Sequence, residues 1–353
     1  MITIVGAGPV GNYLAYLFSK QGKEVRVVEE HKEIGKPIQC AGIVTSEFEK
    51  IVKHTNKFLI NKIKRARIYS TKKNFVEMKL QKENLVIDRS KLDFYLHEKA
   101  KDQGTKYFLG ERFEGNTKNK IKIGSKMLET DYIIGADGPF SSVAKHNDLL
   151  CNRKFVVGSQ IRAKIVCEKD LVEFYPGIGC FGWVIPESEE VARVGVVSYS
   201  KPNDDLNKLI DLRCKNCNII DRQGGFIPIY NPKQILKKAN VLLVGDAATQ
   251  VKSTSFGGLV PGMLAAEVMS KDIKKYGAKA KKKLHKDLYV GLLMRKIMDR
   301  FSEKEFDDFI KLFGKERLKR VLEENDRDFP TKFMFKLALA EPRLLKYVKK
   351  LVF

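Results

Sequence analysis

The sequence predicts an α/β fold with a β-rich insert and a helical C-terminal region, and three observations carry that prediction. The chain opens as strand, glycine turn, helix and strand: Ile2-Thr3-Ile4-Val5, Gly6-Ala7-Gly8-Pro9-Val10-Gly11, Asn12 to Gln21, then Glu24 to Glu29. A second apolar strand of the same kind, Val241-Leu242-Leu243-Val244, comes only after a run of β segments between residues 155 and 200. From Leu259 the pattern is mainly helical, with Pro330 and Pro342 as breaks. Together these describe a Rossmann-like domain interrupted by an inserted antiparallel β-sheet domain and followed by C-terminal helices.

The opening turn justifies the first element. A lone G-x-G-x-x-G says little, but this one leaves a strand, opens a helix and is followed 18 residues after Gly11 by an acid, Glu29, ending the next strand. Gly6 permits the tight turn, Gly8 lets a pyrophosphate approach the backbone, and Gly11 lets helix and strand pack closely. The helix N-terminus offers unpaired N–H groups to the phosphate, and Glu29 would bind the ribose hydroxyls.

Further along, two strands (Ile63 to Tyr69, Phe75 to Leu80) flank the turn Thr71-Lys72-Lys73-Asn74. A helix over Leu92 to Gln103 is led by Asp88-Arg89-Ser90, with Ser90 as N-cap and Gly104 beyond its end. Strands follow at Lys106 to Phe113, Ile121 to Ile123 and Tyr132 to Ile134, then at Phe155 to Val166, Gly182 to Pro186 and Ala192 to Ser198. The expected domains are therefore a discontinuous nucleotide-binding domain (1-62, 81-150 and 236-270), a β-rich substrate domain (63-80 and 151-235) and a basic helical region (271-353).

Composition narrows the function classes. The 353 residues are 43% hydrophobic and 31% charged, as expected of a folded soluble chain of two or three domains. No run approaches the ~18 apolar residues of a membrane span, and the strand pattern at the start leaves no room for a signal peptide. Six cysteines are too few for a disulfide scaffold, so the expected address is cytoplasmic. The net charge is +23, and residues 271–353 alone hold 24 Lys and Arg against 13 Asp and Glu. An acidic partner is implied near that end: nucleic acid, an anionic membrane surface or an acidic protein. No interleaving of basic and aromatic residues suits nucleic acid, which is not expected as a partner.

Three segments distinguish a flavoprotein from a nicotinamide dehydrogenase. Gly135-Ala136-Asp137-Gly138 ends one strand before a helix start. Val244-Gly245-Asp246-Ala247-Ala248 puts an acid at another strand end, where it can accept hydrogen bonds from a ribityl chain. Phe256-Gly257-Gly258-Leu259-Val260-Pro261-Gly262 opens a helix whose positive end suits a reduced, anionic flavin. In this order they resemble the FAD enzymes built like para-hydroxybenzoate hydroxylase. The closer resemblance is to the geranylgeranyl reductase family, including the archaeal digeranylgeranylglycerophospholipid reductases. It covers roughly residues 1 to 270 and rests on Glu33 to Gly42, Ile87 to Asp93, Gly177 to Pro186 and Gly245 to Gly262.

That resemblance implies bound FAD lined by Val10, Glu29, Cys40, Ala41, Gly42, Arg89, Phe113, Asp246, Gly258 and Leu259 beside the glycines Gly6, Gly8 and Gly11. It implies reduction of isoprenoid double bonds in a lipid precursor, with hydride from the flavin and electrons from NAD(P)H, reduced ferredoxin or another low-potential carrier. The enzyme would sit in the cytoplasm or peripherally on the inner face of the membrane, its basic end on anionic headgroups. The family pattern P-x-x-Y-x-W-x-F-P keeps Trp183 and Pro186 but has Ile178, Phe181 and Ile185 at its first Pro, its Tyr and its Phe. Trp183 and Phe181 are then candidate walls of a substrate channel, the alternative for Trp183 being an ordinary core aromatic. Cys40 is either a small packed residue or the candidate proton donor near the flavin. The alternative function is an FAD-dependent monooxygenase of a small apolar or aromatic substrate. Against it, Thr249 follows Ala248, and Lys252-Ser253-Thr254-Ser255 replaces the usual proline loop. Cys214 and Cys217 form a single C-x-x-C without a second pair, and His31, His54, His97, His146 and His285 lie scattered on expected surface segments, so no metal is expected.

Overall fold

The computed structural model describes residues 1–53, 55–72 and 74–351, so His54 and Lys73 of the expected turn lie outside the described residues. The first third of the chain forms β1 (Ile2–Val5), α1 (Pro9–Ser19), β2 (Val25–Glu29), β3 (Ile43–Val44), α2 (Glu47–Ile51), β4 (Leu59–Tyr69), β5 (Phe75–Ile87), α3 (Arg89–Asp102), β6 (Lys106–Leu109) and β7 (Phe113–Asn116). The middle forms β8 (Lys120–Ile123), β9 (Lys126–Glu129), β10 (Tyr132–Gly135), α4 (Ser142–His146), β11 (Phe155–Lys164), β12 (Leu171–Tyr175), β13 (Phe181–Pro186), β14 (Val191–Ser198), α5 (Pro202–Arg213) and β15 (Asn218–Pro228). The last third forms β16 (Lys237–Lys238), β17 (Val241–Leu243), α6 (Leu259–Lys271), α7 (Tyr276–Met298), α8 (Glu303–Phe313), α9 (Glu316–Glu323) and α10 (Met334–Ala340). A 3-10 helix over Pro342–Leu351 closes the described chain.

These elements form two compact units. The first comprises residues 1–38, 89–154 and 228–289, the second residues 39–88, 155–227 and 290–353. Residues 39–62 run with the second unit because β3 and the first half of β4 both pair with β5.

The first unit is built on a six-stranded sheet in the order β16-β17-β10-β1-β2-β6. Strand β1 lies parallel between β10 and β2, in register Ile4↔Ile134 and Ile4↔Val27. All four residues of β1 are buried, which is why a parallel strand with covered faces reads as an unbroken apolar run rather than an alternating one. Helix α1 packs against α3 and α6. The helix predicted from Leu92 starts earlier, at Arg89, so Ser90 lies within it and is not its N-cap. Nor is His97 a surface residue: it is buried, its ring centroid 4.1 Å from that of Tyr107. It belongs to the inner face of α3, one turn beyond the buried Asp93 and one turn before the buried Ala100.

The second unit carries an eight-stranded sheet, β15-β11-β14-β13-β12-β4-β5-β3. Its centre is antiparallel through β11, β14, β13 and β12, and it turns parallel only where β12 meets β4, the point at which the β4–β5 hairpin joins it. One face packs under α5, where Ile161, Val184, Val194, Val196, Leu206 and Leu209 form a buried cluster. The hairpin strands run well past their predicted ends, because Leu59 to Ile63 pair with Asn84 to Ile87, whose buried end also pairs with β3. A separate cluster of Leu312, Phe313, Leu318, Phe333, Leu337 and Tyr347 holds the C-terminal helices together. Among the described residues no helix is long and apolar enough to cross a membrane, and no three His, Cys, Asp or Glu side chains converge as a metal site.

Candidate functional site

The three glycines of the opening turn have different reasons to be glycine. Gly6 has φ +102°, and a Cβ there would lie 2.4 Å from the Ala136 carbonyl oxygen. A Cβ on Gly11 would lie 2.1 Å from the Gly6 carbonyl oxygen. Both therefore serve the close approach of β1, α1 and the end of β10. Gly8 is different: its backbone is extended (φ −69°, ψ 178°), and a Cβ there would meet nothing within 4 Å. Only at Gly8 does the backbone face open space, where a ligand can come against it. Gly8 also caps α1, whose first turn receives no side-chain cap, so its leading N–H groups are left for an anion.

Glu29 ends β2 beside this turn. Its Oε2 accepts from the Ala7 N–H at 2.7 Å, and its Oε1 from the His31 N–H at 3.0 Å, with His31 Nδ1 at 2.6 Å. The carboxylate is thereby fixed in orientation, and Oε2, with one lone pair still unused, can accept from a ribose hydroxyl.

At the end of β17, burial pushes the Asp246 carboxyl up to about 6, while the Arg89 and Arg153 guanidiniums pull it down. Its Oδ1 stands so near Gly258 that a Cβ there would be 2.7 Å away, which places Asp246 against the start of α6, where Leu259 is the first residue. Val10 wedges its methyls between Gly245 and Gly262; a Cβ on Gly262 would lie 2.8 Å from Val10 Cγ2. Thus Gly6, Gly8, Val10, Gly11, Glu29, Asp246, Gly258 and Leu259 belong to one arrangement at the ends of β1, β2 and β17. Arg89 joins it electrostatically and is held by Asp93 one turn on, Nη2 to Oδ2 at 3.1 Å. Phe113, in β7, is buried edge-to-face on His146, so its ring belongs to the small three-stranded sheet.

Four residues to which the sequence reading gave no role complete the arrangement, although Asp93 and Asp137 lie inside motif segments it quoted. Asn12, wholly buried, donates from Nδ2 to the Ala7 and Asp93 carbonyls and accepts from the Tyr107 hydroxyl at 2.8 Å, tying the glycine turn to α3 and β6. A polar residue in an apolar helical run was its only signal. Asp93 anchors Arg89. Asp137 accepts from the Ser141 hydroxyl and from the Val143 N–H in the first turn of α4, a helix that Ser141 itself caps. Arg153 bridges the two acidic segments by donating to the Pro139 and Ala247 carbonyls.

In the second unit, Cys40, Ala41 and Gly42 form an ordered bend. The Gly42 N–H donates to Cys40 Sγ at 3.3 Å, Gln223 Nε2 donates to the Cys40 carbonyl, and Arg193 Nη1 donates to the Ala41 and Ile87 carbonyls. Gly42 has φ +75° and lies so close to Arg193 and Ile87 that no side chain fits. Trp183 is 6% exposed and donates from Nε1 to Gln160 Oε1 at 2.9 Å, its ring lying over Gly195. Phe181 stands 5.7 Å from it and Phe174 6.3 Å from Phe181, an aromatic strip on the sheet. Cys214 belongs to the cluster beneath α5 and Cys217 packs against it; burial, with Cys217 beside it, pushes the Cys214 thiol up to about 12, so Cys214 stays protonated and inert.

Residues 1–205 match a family described as FAD binding domain. Among curated proteins, the chain is 28% identical to a digeranylgeranylglycerophospholipid reductase of Methanocaldococcus jannaschii, covering 99% of this chain and 98% of that one. Among solved structures it resembles a geranylgeranyl bacteriochlorophyll reductase-like protein from Thermoplasma acidophilum, with TM-score 0.85 and 21% identity over 99% of this chain and 98% of that one. It also resembles a flavin-dependent brominase, with TM-score 0.76 and 17% identity over 99% of both chains.

Proposed function

Because the chain belongs to the FAD binding domain family, we propose that it is an FAD-dependent reductase saturating the carbon–carbon double bonds of geranylgeranyl chains in an archaeal-type membrane-lipid precursor. The observation that carries this reading is its likeness, along almost the whole of both chains, to a digeranylgeranylglycerophospholipid reductase. FAD is the cofactor, and the residues of the first unit fit it: Gly8 leaves room for a pyrophosphate against an uncapped helix end, and Glu29 stands ready for a ribose hydroxyl. Asp246 would take the ribityl hydroxyls, with Gly258 and Leu259 opening the helix at the flavin end and Arg89 balancing charge. When bound and reduced by two electrons from its donor, FAD would supply a hydride to one carbon of the double bond.

The chain's own residues do the rest. Phe113 supports the adenosine end through its strand. Ala41 and Gly42 offer backbone to the cofactor, and Cys40 Sγ is the candidate to hold the proton destined for the second carbon. The strip of Phe174, Phe181 and Trp183 offers an apolar wall to an isoprenoid chain and keeps water from it. Electrons come from NAD(P)H, reduced ferredoxin or another low-potential carrier, and the protein works in the cytoplasm, peripherally on the anionic inner face of the membrane.

The test is anaerobic. Protein carrying FAD is reduced with dithionite and mixed with a digeranylgeranylglyceryl phospholipid, and lipid mass is followed. The expected result is a gain of two hydrogens for each bond saturated. A protein that holds FAD but leaves the lipid mass unchanged, and that in a separate aerobic assay consumes NADPH and oxygen when given an aromatic acid, would be a monooxygenase instead.

A further inference from the structure

Large exposed apolar side chains occur singly over most of the surface, as they do on ordinary soluble proteins. Residues 335–348 are the exception: Phe335 is 73% exposed, Leu339 60%, Leu345 54% and Val348 46%. The first two are four residues apart on α10 and therefore share a face. The opposite side of that helix, through Leu337, is buried in the C-terminal cluster.

The 3-10 helix that follows sorts its residues more strictly. At three residues per turn, positions i and i+3 eclipse, so Pro342–Leu351 has three stripes. Leu344 and Tyr347 face inward onto the cluster that also holds Leu337. Leu345 and Val348 form an outward apolar stripe. Arg343, Lys346 and Lys349 form a cationic one beside it, and all three are exposed. Across 330–351 there are six basic residues and one acid, Glu341. That acid is already neutralised, by Lys315 at 2.8 Å and Arg343 at 2.7 Å. The helix α10 packs against the 3-10 helix, so the two outward apolar pairs belong to one neighbourhood.

We propose that α10 and the 3-10 helix form a membrane-docking surface, in which Phe335, Leu339, Leu345 and Val348 insert into the interface of an anionic bilayer while Arg343, Lys346 and Lys349 meet its headgroups. Charge and shape select this occupant. A soluble acidic partner would be matched by the cationic stripe alone and would leave four large apolar side chains without a reason to be exposed. A bilayer uses both stripes, since apolar insertion and attraction to anionic headgroups add. The inference rests on the proposed function in supplying a reason to visit lipid, and it makes attachment a matter of insertion as well as of charge.

The experiment uses full-length protein carrying FAD. Sedimentation with vesicles of phosphatidylcholine plus phosphatidylglycerol, and with phosphatidylcholine alone, is followed over a salt series for the wild type, for F335S/L339S/L345S/V348S and for K346E/K349E. The four apolar positions are exposed, so thermal midpoint and bound FAD should match the wild type. Wild-type protein should bind the anionic vesicles, with a part of the binding surviving high salt. The serine variant should lose about tenfold or more in partitioning and keep only a salt-labile remainder, and the glutamate variant should lose preference for anionic lipid. A folded serine variant that binds as well as the wild type overturns the proposal, and so does wild-type binding abolished entirely by salt. Turnover of detergent-dispersed lipid separates the two readings: vesicle binding without turnover in either format leaves the docking surface standing and removes the reductase. Turnover in detergent by a wild type that ignores vesicles does the reverse.

Discussion

The two units place glycine under the same demand but announce it differently. In the first unit, Gly11 lies under the carbonyl oxygen of Gly6, with 2.1 Å available to a Cβ. In the second, Gly195 lies under the ring of Trp183, with 2.5 Å available. Gly6 and Gly11 are five residues apart, so their mutual need is written as a spacing. Trp183 and Gly195 face each other across β13 and β14, and Gln160 completes the row from β11. No local pattern can carry that row, because its members meet only through strand register. The first unit is therefore legible as a motif, and the second only as periodicity.

The largest expected effect breaks this comparison on its less legible side. Trp183→Ala removes a buried ring and orphans Gln160 Oε1, and should cost roughly 3–5 kcal/mol of stability. Urea unfolding of the two proteins measures it. A variant as stable as the wild type would show that the ring carries little of the packing around it, and lipid reduction by that variant at the wild-type rate would remove Trp183 from the proposed wall. Trp183→Phe keeps most of the apolar volume and should recover the larger part of the loss.

The second expectation concerns Asp246, which burial pushes up to about 6 from an ordinary 3.8. Because its folded value is the higher, the apo protein takes up a proton on folding between about pH 4 and 6. Stability therefore falls as pH rises through that window, and above it the cost stands in full, roughly 2–3 kcal/mol. Asp246→Asn should remove it. The variant should melt higher than wild-type apo protein at pH 8 and like it at pH 4, with FAD bound more weakly despite the gain. Parallel melting curves at the two pH values would show the carboxyl to be solvated.

What the sequence made legible follows the same division. The parallel sheet, the glycine turn, Glu29 and Asp246 were all readable because strand ends and turns keep their chemistry within a few residues. Asn12 and Arg153 were not, since they reach carbonyls and side chains brought close only by folding, and the i,i+4 pair of Arg89 with Asp93 was hidden because the predicted helix began after Arg89. The early start of α3 was missed for a smaller reason: Asp88-Arg89-Ser90 reads equally well as a cap or as a first turn. The Leu345 and Val348 half of the docking face was hidden because a 3-10 helix groups residues in threes, and a search at the α-helical period blurs its three stripes into one another.

Within the first unit, Glu29 sharpens the contrast between fold and ligand. Glu29→Ala should weaken FAD retention by about 1–3 kcal/mol through the lost ribose hydrogen bond. It also frees the Ala7 N–H, so apo stability should slip slightly. Glu29→Gln, which still accepts from Ala7, should spare the fold and lose mainly affinity. Titration of apo protein with FAD, followed by flavin fluorescence, separates the two variants, and equal affinity in all three proteins would remove Glu29 from the site.

The smallest effect on the fold is expected at Gly8, and it discriminates most finely. A methyl added at Gly11 must collide with backbone, so Gly11→Ala is a folding variant whatever it does to FAD. A methyl added at Gly8 meets nothing, and φ −69° with ψ 178° is backbone that alanine adopts freely. Gly8→Ala should therefore leave apo stability unchanged within about 0.5 kcal/mol or raise it slightly, because alanine restricts the unfolded chain. The open space is where a pyrophosphate would approach the backbone, so the same methyl should weaken FAD binding about tenfold or more. The measurement is a pair on one variant: melting without FAD, and FAD affinity by titration. Unchanged affinity would mean that the phosphates avoid the turn, and the glycine spacing would then belong to strand and helix packing alone.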